Sequence, residues 1–279
     1  MSTGHSPFSQ ADHPASAKVG RDYWDDNWAD GALPALIDPN DAGFRNWVNR
    51  SLHAYFLARL GMEPRGRKLL EVGCARSGWL PYFHRVLGFD VAGLDYSPIG
   101  CRQSEAVLAA AGVPGEVVCA DLFTPPEAFR DRFDVIVSFG VMEHFDDPTA
   151  AIGAAASLLR PGGLLFTMIP NLGGIPGWLL RRIDRPLYDI HNPLSAGALA
   201  AAHAASGLEV VDSRYFLPFH SGVLWSRRRS LASLAVRKLG GMVTLAAWAA
   251  GRLGLPLAGS RAASPYVLCV ARKPLQGDP

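Results

Sequence analysis

From Lys68 onward the apolar residues come in short, nearly uninterrupted runs, and the stretches between them repeat their apolar residues at three- and four-residue spacing. The runs at 68–73, 89–94, 116–120, 133–139 and 163–169 have the length of strands. They lack the alternation of a half-exposed strand, which predicts strands covered on both faces. The stretches at 78–87, 98–111, 147–159 and 195–205 read as helices, and this alternation predicts βαβ units around a parallel sheet. Two more strands are expected at 208–216, after Gly207, and at 266–270. Upstream, Phe44, Trp47, Val48, Leu52, Tyr55, Phe56 and Leu60 follow helical spacing, with Gly61 and Pro64 as the stop.

This pattern divides the chain into a leader over 1–20, expected to be disordered, and a helical segment or lid over 21–66. The α/β core covers 67–217 and 264–274, and a helical insertion over 218–263 separates the last two strands. The insertion is rich in Ala, Leu and Gly, but its longest uncharged stretch, Leu239 to Gly251, falls short of the roughly 18 residues that a membrane span needs. Helices packed on the domain or on a dimer surface are expected there, with a substrate lid or a lipid-touching surface as the other readings.

Composition narrows the partners. The 279 residues are 49% hydrophobic and 19% charged, enough for one elaborated domain. With 27 Lys and Arg against 25 Asp and Glu, the net charge of +2 supplies no field for nucleic acid, so a small molecule is the expected partner and the chain a monomer or homodimer. Arg227, Arg228 and Arg229 read as a solvated loop. Cys74, Cys101, Cys119 and Cys269 show neither disulfide nor metal-ligand spacing. No metal is expected, and the cytoplasm is the expected compartment.

The candidate chemistry lies at strand ends. Leu69-Leu70-Glu71-Val72-Gly73-Cys74-Ala75-Arg76-Ser77-Gly78 is a buried strand running into a turn of small residues that opens a helix, which lets backbone approach a ligand. Asp95, with Tyr96 and Ser97 after it, ends the second strand about twenty residues later, where a carboxylate can accept both hydroxyls of a ribose or simply cap the next helix. Asp121 ends the third strand and can accept from an adenine amine while Leu122 packs on the ring; a turn residue is the plainer reading. A nicotinamide dehydrogenase would want a complete glycine fingerprint, and this one is incomplete.

Glu71 to Gly78, Asp95, Asp121 and the segment Phe133 to His144 together resemble the successive motifs of class I S-adenosylmethionine (SAM) methyltransferases, over about 44–216 plus the last strand. The resemblance implies a Rossmann-like, doubly wound, mostly parallel seven-stranded sheet with helices on both faces and an antiparallel last strand. It implies that Glu71 reaches the methionine amine, that the turn with Gly73, Cys74, Ala75 and Gly78 covers the methionyl part, and that Asp95, with Tyr96 and Ser97, binds the ribose. Asp121 and Leu122 would hold adenine, with Phe139 and Val141 below the sulfonium. Ala75 and Ser77 depart from the family's pattern, where glycine is commoner, and put the standard contacts of that turn in doubt. The segment after the fifth strand is similar to that of small-molecule O-methyltransferases of quinone biosynthesis and natural-product tailoring, where it borders the acceptor.

A hydroxyl acceptor must lose its proton, and histidine is the natural base. His144 and His191 are the candidates, with Glu143 as an orienting group, and either histidine can equally be structural. Tyr23, Trp28, Trp178, Tyr188 and Phe216 are the candidate acceptor contacts, the first two on a lid around Trp24. The expected function is O-methylation of a small, largely apolar or aromatic metabolite; an N- or C-methyltransferase and a catalytically silent SAM-binding subunit are the alternatives.

Overall fold

The computed structural model describes residues 17–29, 32–61, 66–224, 226 and 230–275. Most of the expected leader, Pro64 and the Arg227 to Arg229 cluster lie outside the described residues. The described chain forms a seven-stranded sheet from β1 (Lys68–Val72), β2 (Asp90–Asp95), β3 (Gly115–Cys119), β4 (Phe133–Phe139), β5 (Leu159–Pro170), β6 (Glu209–Phe216) and β7 (Tyr266–Arg272). Their order is β3-β2-β1-β4-β5-β7-β6. The first five pair in parallel, and β7 runs antiparallel to both β5 and β6. This is the Rossmann-like sheet that the resemblance implied. The order reverses between β1 and β4, and in such a sheet a crevice opens at the carboxyl ends of those strands.

The helices are α1 (Arg21–Trp28), α2 (Trp47–Leu60), α3 (Trp79–Leu87), α4 (Pro98–Ala111), α5 (Pro148–Ala156), α6 (Ile175–Ile183), α7 (Arg185–Asp189), α8 (Ala196–Ala205) and α9 (Leu231–Arg252). Strand periodicity assigns neighbouring β1 residues to opposite faces. Leu70 and Val72 join a core with Ile152 and Ala155 of α5 and Leu199 of α8. Leu69 joins a second core with Phe56 of α2, Leu80 and Phe83 of α3 and Leu108 of α4. The fully buried Phe56, Phe83 and Phe166 pack edge to face, each contributing roughly 1.5–3 kcal/mol by burial. His203 belongs to this packing: its Nδ1 meets Leu199 O at 2.8 Å and its Nε2 meets the Thr167 hydroxyl at 2.9 Å.

Several boundaries differ from expectation for identifiable reasons. Arg160 to Gly163 reads as a turn, yet β5 begins at Leu159, because Gly162 N donates to Lys273 O at 2.8 Å and Lys273 N to Gly163 O at 2.9 Å, drawing the turn into the sheet. Ala17 and Lys18, expected in the disordered leader, pair with the segment after β4: Ala17 bridges Phe145, and Lys18 N donates to His144 O at 2.8 Å. In the described part of the insertion a 3-10 turn at Ser221–Leu224 precedes one long helix, α9, where separate helices were expected. The helix runs through the Gly240–Gly241 pair, and Gly240 lies so close to Ser221 that a Cβ there would stand 2.9 Å from the Ser221 Cβ. No described helix is long and apolar enough to cross a membrane.

Candidate functional site

A cavity of about 430 Å³ opens over the carboxyl ends of β1, β2 and β4, within the roughly 300–1,000 Å³ usual for a small-molecule site. Glu71, near the end of β1, is 2% exposed and accepts from the Ser77 hydroxyl at 2.8 Å through Oε1. Its Oε2 is buried with no hydrogen-bond partner. Burial, reinforced by the nearby Asp95 charge and opposed by Ser77, pushes its carboxyl up to about 8. A buried, half-satisfied carboxylate on a cavity wall is suited to a cation such as an ammonium group.

The turn after β1 is held open by geometry. Gly73 sits at φ +76, and a Cβ there would stand 2.3 Å from Val141 Cγ2. The turn therefore needs glycine at this point for both its backbone and its contact with the β4 loop. The turn meets the end of β2 through Asp95, whose Oδ2 accepts from Ala75 N at 3.0 Å and whose Oδ1 accepts from Ser97 N at 2.9 Å. Those bonds fix the carboxylate in the cavity wall with lone pairs remaining for a diol. Ala75 is tolerated because its methyl meets Gly100 of α4, where an added Cβ would lie only 2.6 Å away. Asp121, after β3, accepts from Phe123 N at 2.8 Å, and Leu122 lines the cavity beside it.

Of the cofactor contacts expected from sequence, Glu71, Gly73, Ala75, Gly78, Asp95, Tyr96, Asp121, Leu122, Phe139 and Val141 line one cavity. Cys74 and Ser97 do not. Cys74 is buried under the turn, against Gly93, and Ser97 caps α4 by accepting from Gly100 N at 3.0 Å. Trp79, at the start of α3, and Phe145 line the cavity without having been singled out. The Trp79 and Phe139 rings are 5.4 Å apart. Small residues before a helix mark a turn but do not tell which way its first side chain points, so Trp79 carried no signal.

The N-terminal segment closes one side. Val19, Trp24 and Trp28 line the cavity, the two tryptophans stacked at 6.2 Å. Tyr23 packs edge-on against Trp24 at 5.2 Å and is not part of the lining. The other expected acceptor contacts also lie elsewhere. Trp178 is 55% exposed on α6, Tyr188 stands beside Arg181 at 5.8 Å, and Phe216 is buried against Tyr55 at 6.0 Å. Aromatic type alone did not distinguish cavity wall from core or surface.

Three titratable groups gather after β4. His144 is buried in the cavity wall, its ring edge-on to Trp24 at 4.9 Å and 4.5 Å from the His191 ring. His191 and Glu143 stand behind it, outside the lining. His144 Nδ1 meets Ile190 O at 2.9 Å, and His191 Nδ1 meets Leu187 O at 2.7 Å. A carbonyl only accepts, so each Nδ1 carries the proton and each Nε2 keeps a lone pair. Burial, with His191 second, lowers His144 to about 3; burial likewise lowers His191. Burial raises Glu143 to about 8, and its Oε2 has no partner. Glu143 Oε1 lies 3.9 Å from His144 Nε2. Ligand atoms of the three lie within 4.8 Å of one another, a spacing that could also hold one divalent cation, although sequence spacing predicted no metal.

Replacing Asp95 with Asn tests the diol contact that the resemblance implies. It keeps the shape and one acceptor oxygen, and is expected to weaken S-adenosylhomocysteine binding about tenfold, for the loss of one charge-assisted bond of roughly 1.5 kcal/mol. Calorimetry reads the change, and unaltered affinity would remove Asp95 from the site.

A family model described as a methyltransferase domain matches residues 44–213. A ubiquinone biosynthesis O-methyltransferase of Xanthomonas axonopodis pv. citri is 27% identical over 83% of this chain and 91% of its own length. One from Methylobacterium nodulans is 30% identical over 61% of this chain and 73% of its own. Among solved structures, the geranyl diphosphate C-methyltransferase of Streptomyces coelicolor, in complex with Mg2+, geranyl diphosphate and S-adenosylhomocysteine, superposes with a TM-score of 0.60 at 16% identity, covering 91% of this chain and 97% of that one.

Proposed function

Because this chain belongs to the methyltransferase domain family and transfers methyl groups from SAM, we propose that it methylates a hydroxyl of a small aromatic or largely apolar metabolite. The carrying observation is His144: a buried neutral imidazole in the wall of the cavity, its Nε2 lone pair unclaimed by backbone, edge-on to Trp24. Glu71 faces the ammonium of the donor, the turn from Gly73 covers its methionyl chain, Asp95 takes the ribose hydroxyls, and Asp121 with Leu122 flanks adenine. This order along the strand ends points the sulfonium toward Phe139, Val141 and His144.

The donor already carries its leaving group, so the protein's task is alignment and exclusion of water. An acceptor oxygen lone pair forms the new C–O bond as the C–S bond breaks and its electrons return to sulfur. The oxygen becomes strongly acidic as that bond forms, and its proton passes to His144 Nε2. A histidine lowered to about 3 is a weak base, but it is always unprotonated at working pH, and the proton of a developing oxonium needs no stronger one. The Ile190 carbonyl, accepting from Nδ1 at 2.9 Å, holds the ring, with the His191 ring packed 4.5 Å away.

The test is methyl transfer from labelled SAM to a panel of phenols, catechols and matched amines, with products identified by mass. O-methyl products from aromatic hydroxyls are expected; turnover of the amines alone would establish N-methylation instead, and no product from any of these acceptors would overturn the assignment to an aromatic hydroxyl. The Glu143, His144 and His191 cluster supports a second reading, in which a divalent cation orients the hydroxyl. The same assay run with a chelator separates the two, since loss of turnover that added Zn2+ or Mn2+ restores belongs only to the second.

A further inference from the structure

Helix α9 is inverted for a helix that merely packs on its own domain. Its buried positions, Gly240 and Thr244, are small and one turn apart. The Thr244 hydroxyl accepts from Ser221 N at 2.9 Å and donates to Gly240 O at 2.7 Å, and a Cβ on Gly240 would come within 2.9 Å of Ser221 Cβ. Trp248 packs against Phe44, but most of the large apolar side chains are exposed, Leu231 at 87%, Leu239 at 62% and Met242 at 68% among them. At helical spacing Leu231, Lys238, Met242 and Leu245 share one stripe opposite the buried pair. The apolar run continues past the helix in the exposed Leu253 and Leu255. Beside α9, α6 exposes Ile175 and Trp178, with the Arg182 guanidinium 4.5 Å over the Trp178 ring. Apolar exposure on this scale marks an interaction surface.

Charge selects the occupant. From Ser213 to Gly277 the chain carries ten of its 27 Lys and Arg and none of its 25 Asp and Glu. A second copy would set Lys238 against another face of the same sign with no acid to receive it. An anionic bilayer offers acyl chains to the Leu and Met side chains and phosphates to Lys238 and Arg252, and a lysine within an apolar stripe extends its ammonium to headgroup level. The helix is 22 residues long, about 33 Å, and is not apolar enough to cross a membrane, so it would lie along the surface. We infer that α9 docks this protein on an anionic lipid bilayer as an interfacial helix.

None of the cofactor or acceptor assignments enters this inference. The test is flotation of the full chain with vesicles of phosphatidylcholine alone and of phosphatidylcholine with phosphatidylglycerol at roughly 3:1. Binding to the anionic vesicles alone is expected, weakening as salt rises. The double variant Leu239→Glu/Met242→Glu should lose at least about tenfold in vesicle affinity. Its thermal stabilisation by S-adenosylhomocysteine should match that of the wild type, which reports folding and the cofactor site separately. No flotation on anionic vesicles, or equal flotation on neutral ones, overturns the inference; so does a wild-type dimer that this variant converts to a monomer without any lipid binding.

Discussion

His144→Ala is expected to lower kcat about 10²- to 10⁴-fold, the usual contribution of a positioned proton acceptor, while S-adenosylhomocysteine still stabilises the variant against heat. The split separates acceptor chemistry from donor binding, because the residues proposed to hold the donor line the cavity at the ends of β1, β2 and β3, whereas His144 stands beyond β4. His144→Gln serves as the control for shape. Equal turnover in wild type and both variants would assign His144 to packing. The wild-type rate should also show no inflection near pH 6.5, since burial holds His144 at about 3. The same shift acts on stability. An unfolded chain protonates this histidine below about 6.5 and the folded chain does not until about 3, so folding stability falls as pH drops across that window, and His144→Ala removes that share of the loss.

Glu71→Gln is expected to weaken SAM binding about 100-fold, from a loss of roughly 3 kcal/mol when a buried ion pair loses one partner. In the free protein Glu71 is protonated below about 8, whereas a carboxylate facing the donor's ammonium is ionised. Binding must then release a proton, so wild-type affinity should rise by up to about tenfold for each pH unit between about 6 and 7.5, below the range in which the ligand's own amine titrates. Titration calorimetry in two buffers of different ionisation heat reads that proton directly. For the free protein the sign is opposite: the raised carboxyl favours the fold most at low pH, and that share is lost as pH rises from about 4.5 through 8. Glu71→Gln should flatten both dependences. A wild-type affinity constant across pH 6 to 7.5 would show that Glu71 does not meet the ammonium.

How far such residues can be read from sequence depends on what placed them. Glu71, Asp95 and Asp121 were legible because parallel strands must deliver their carboxyl ends to one edge, so position along the chain translates directly into position in space. Gly73 was legible because a strand-to-helix turn against another loop leaves no room for a side chain. Trp178, Tyr188 and Phe216 were read by residue type, yet they lie on the surface of α6, beside Arg181, and in the core. Cys74 and Ser97 sit in the right motifs but outside the lining, Cys74 buried against Gly93 and Ser97 capping α4.

The hydrophobic period by itself determined most of the strands and helices and the parallel arrangement they imply, because local spacing leaves few other solutions; the acids at the strand ends, with the family resemblance, marked the rim where a nucleoside-like donor can bind. Only the tertiary structure decided that Ala17 and Lys18 pair beside His144, that Trp24 and Trp28 wall the cavity, that His191 and Glu143 back His144, and that α9 turns its leucines outward. These are contacts between segments distant in sequence, and no local period encodes which neighbour a side chain will meet.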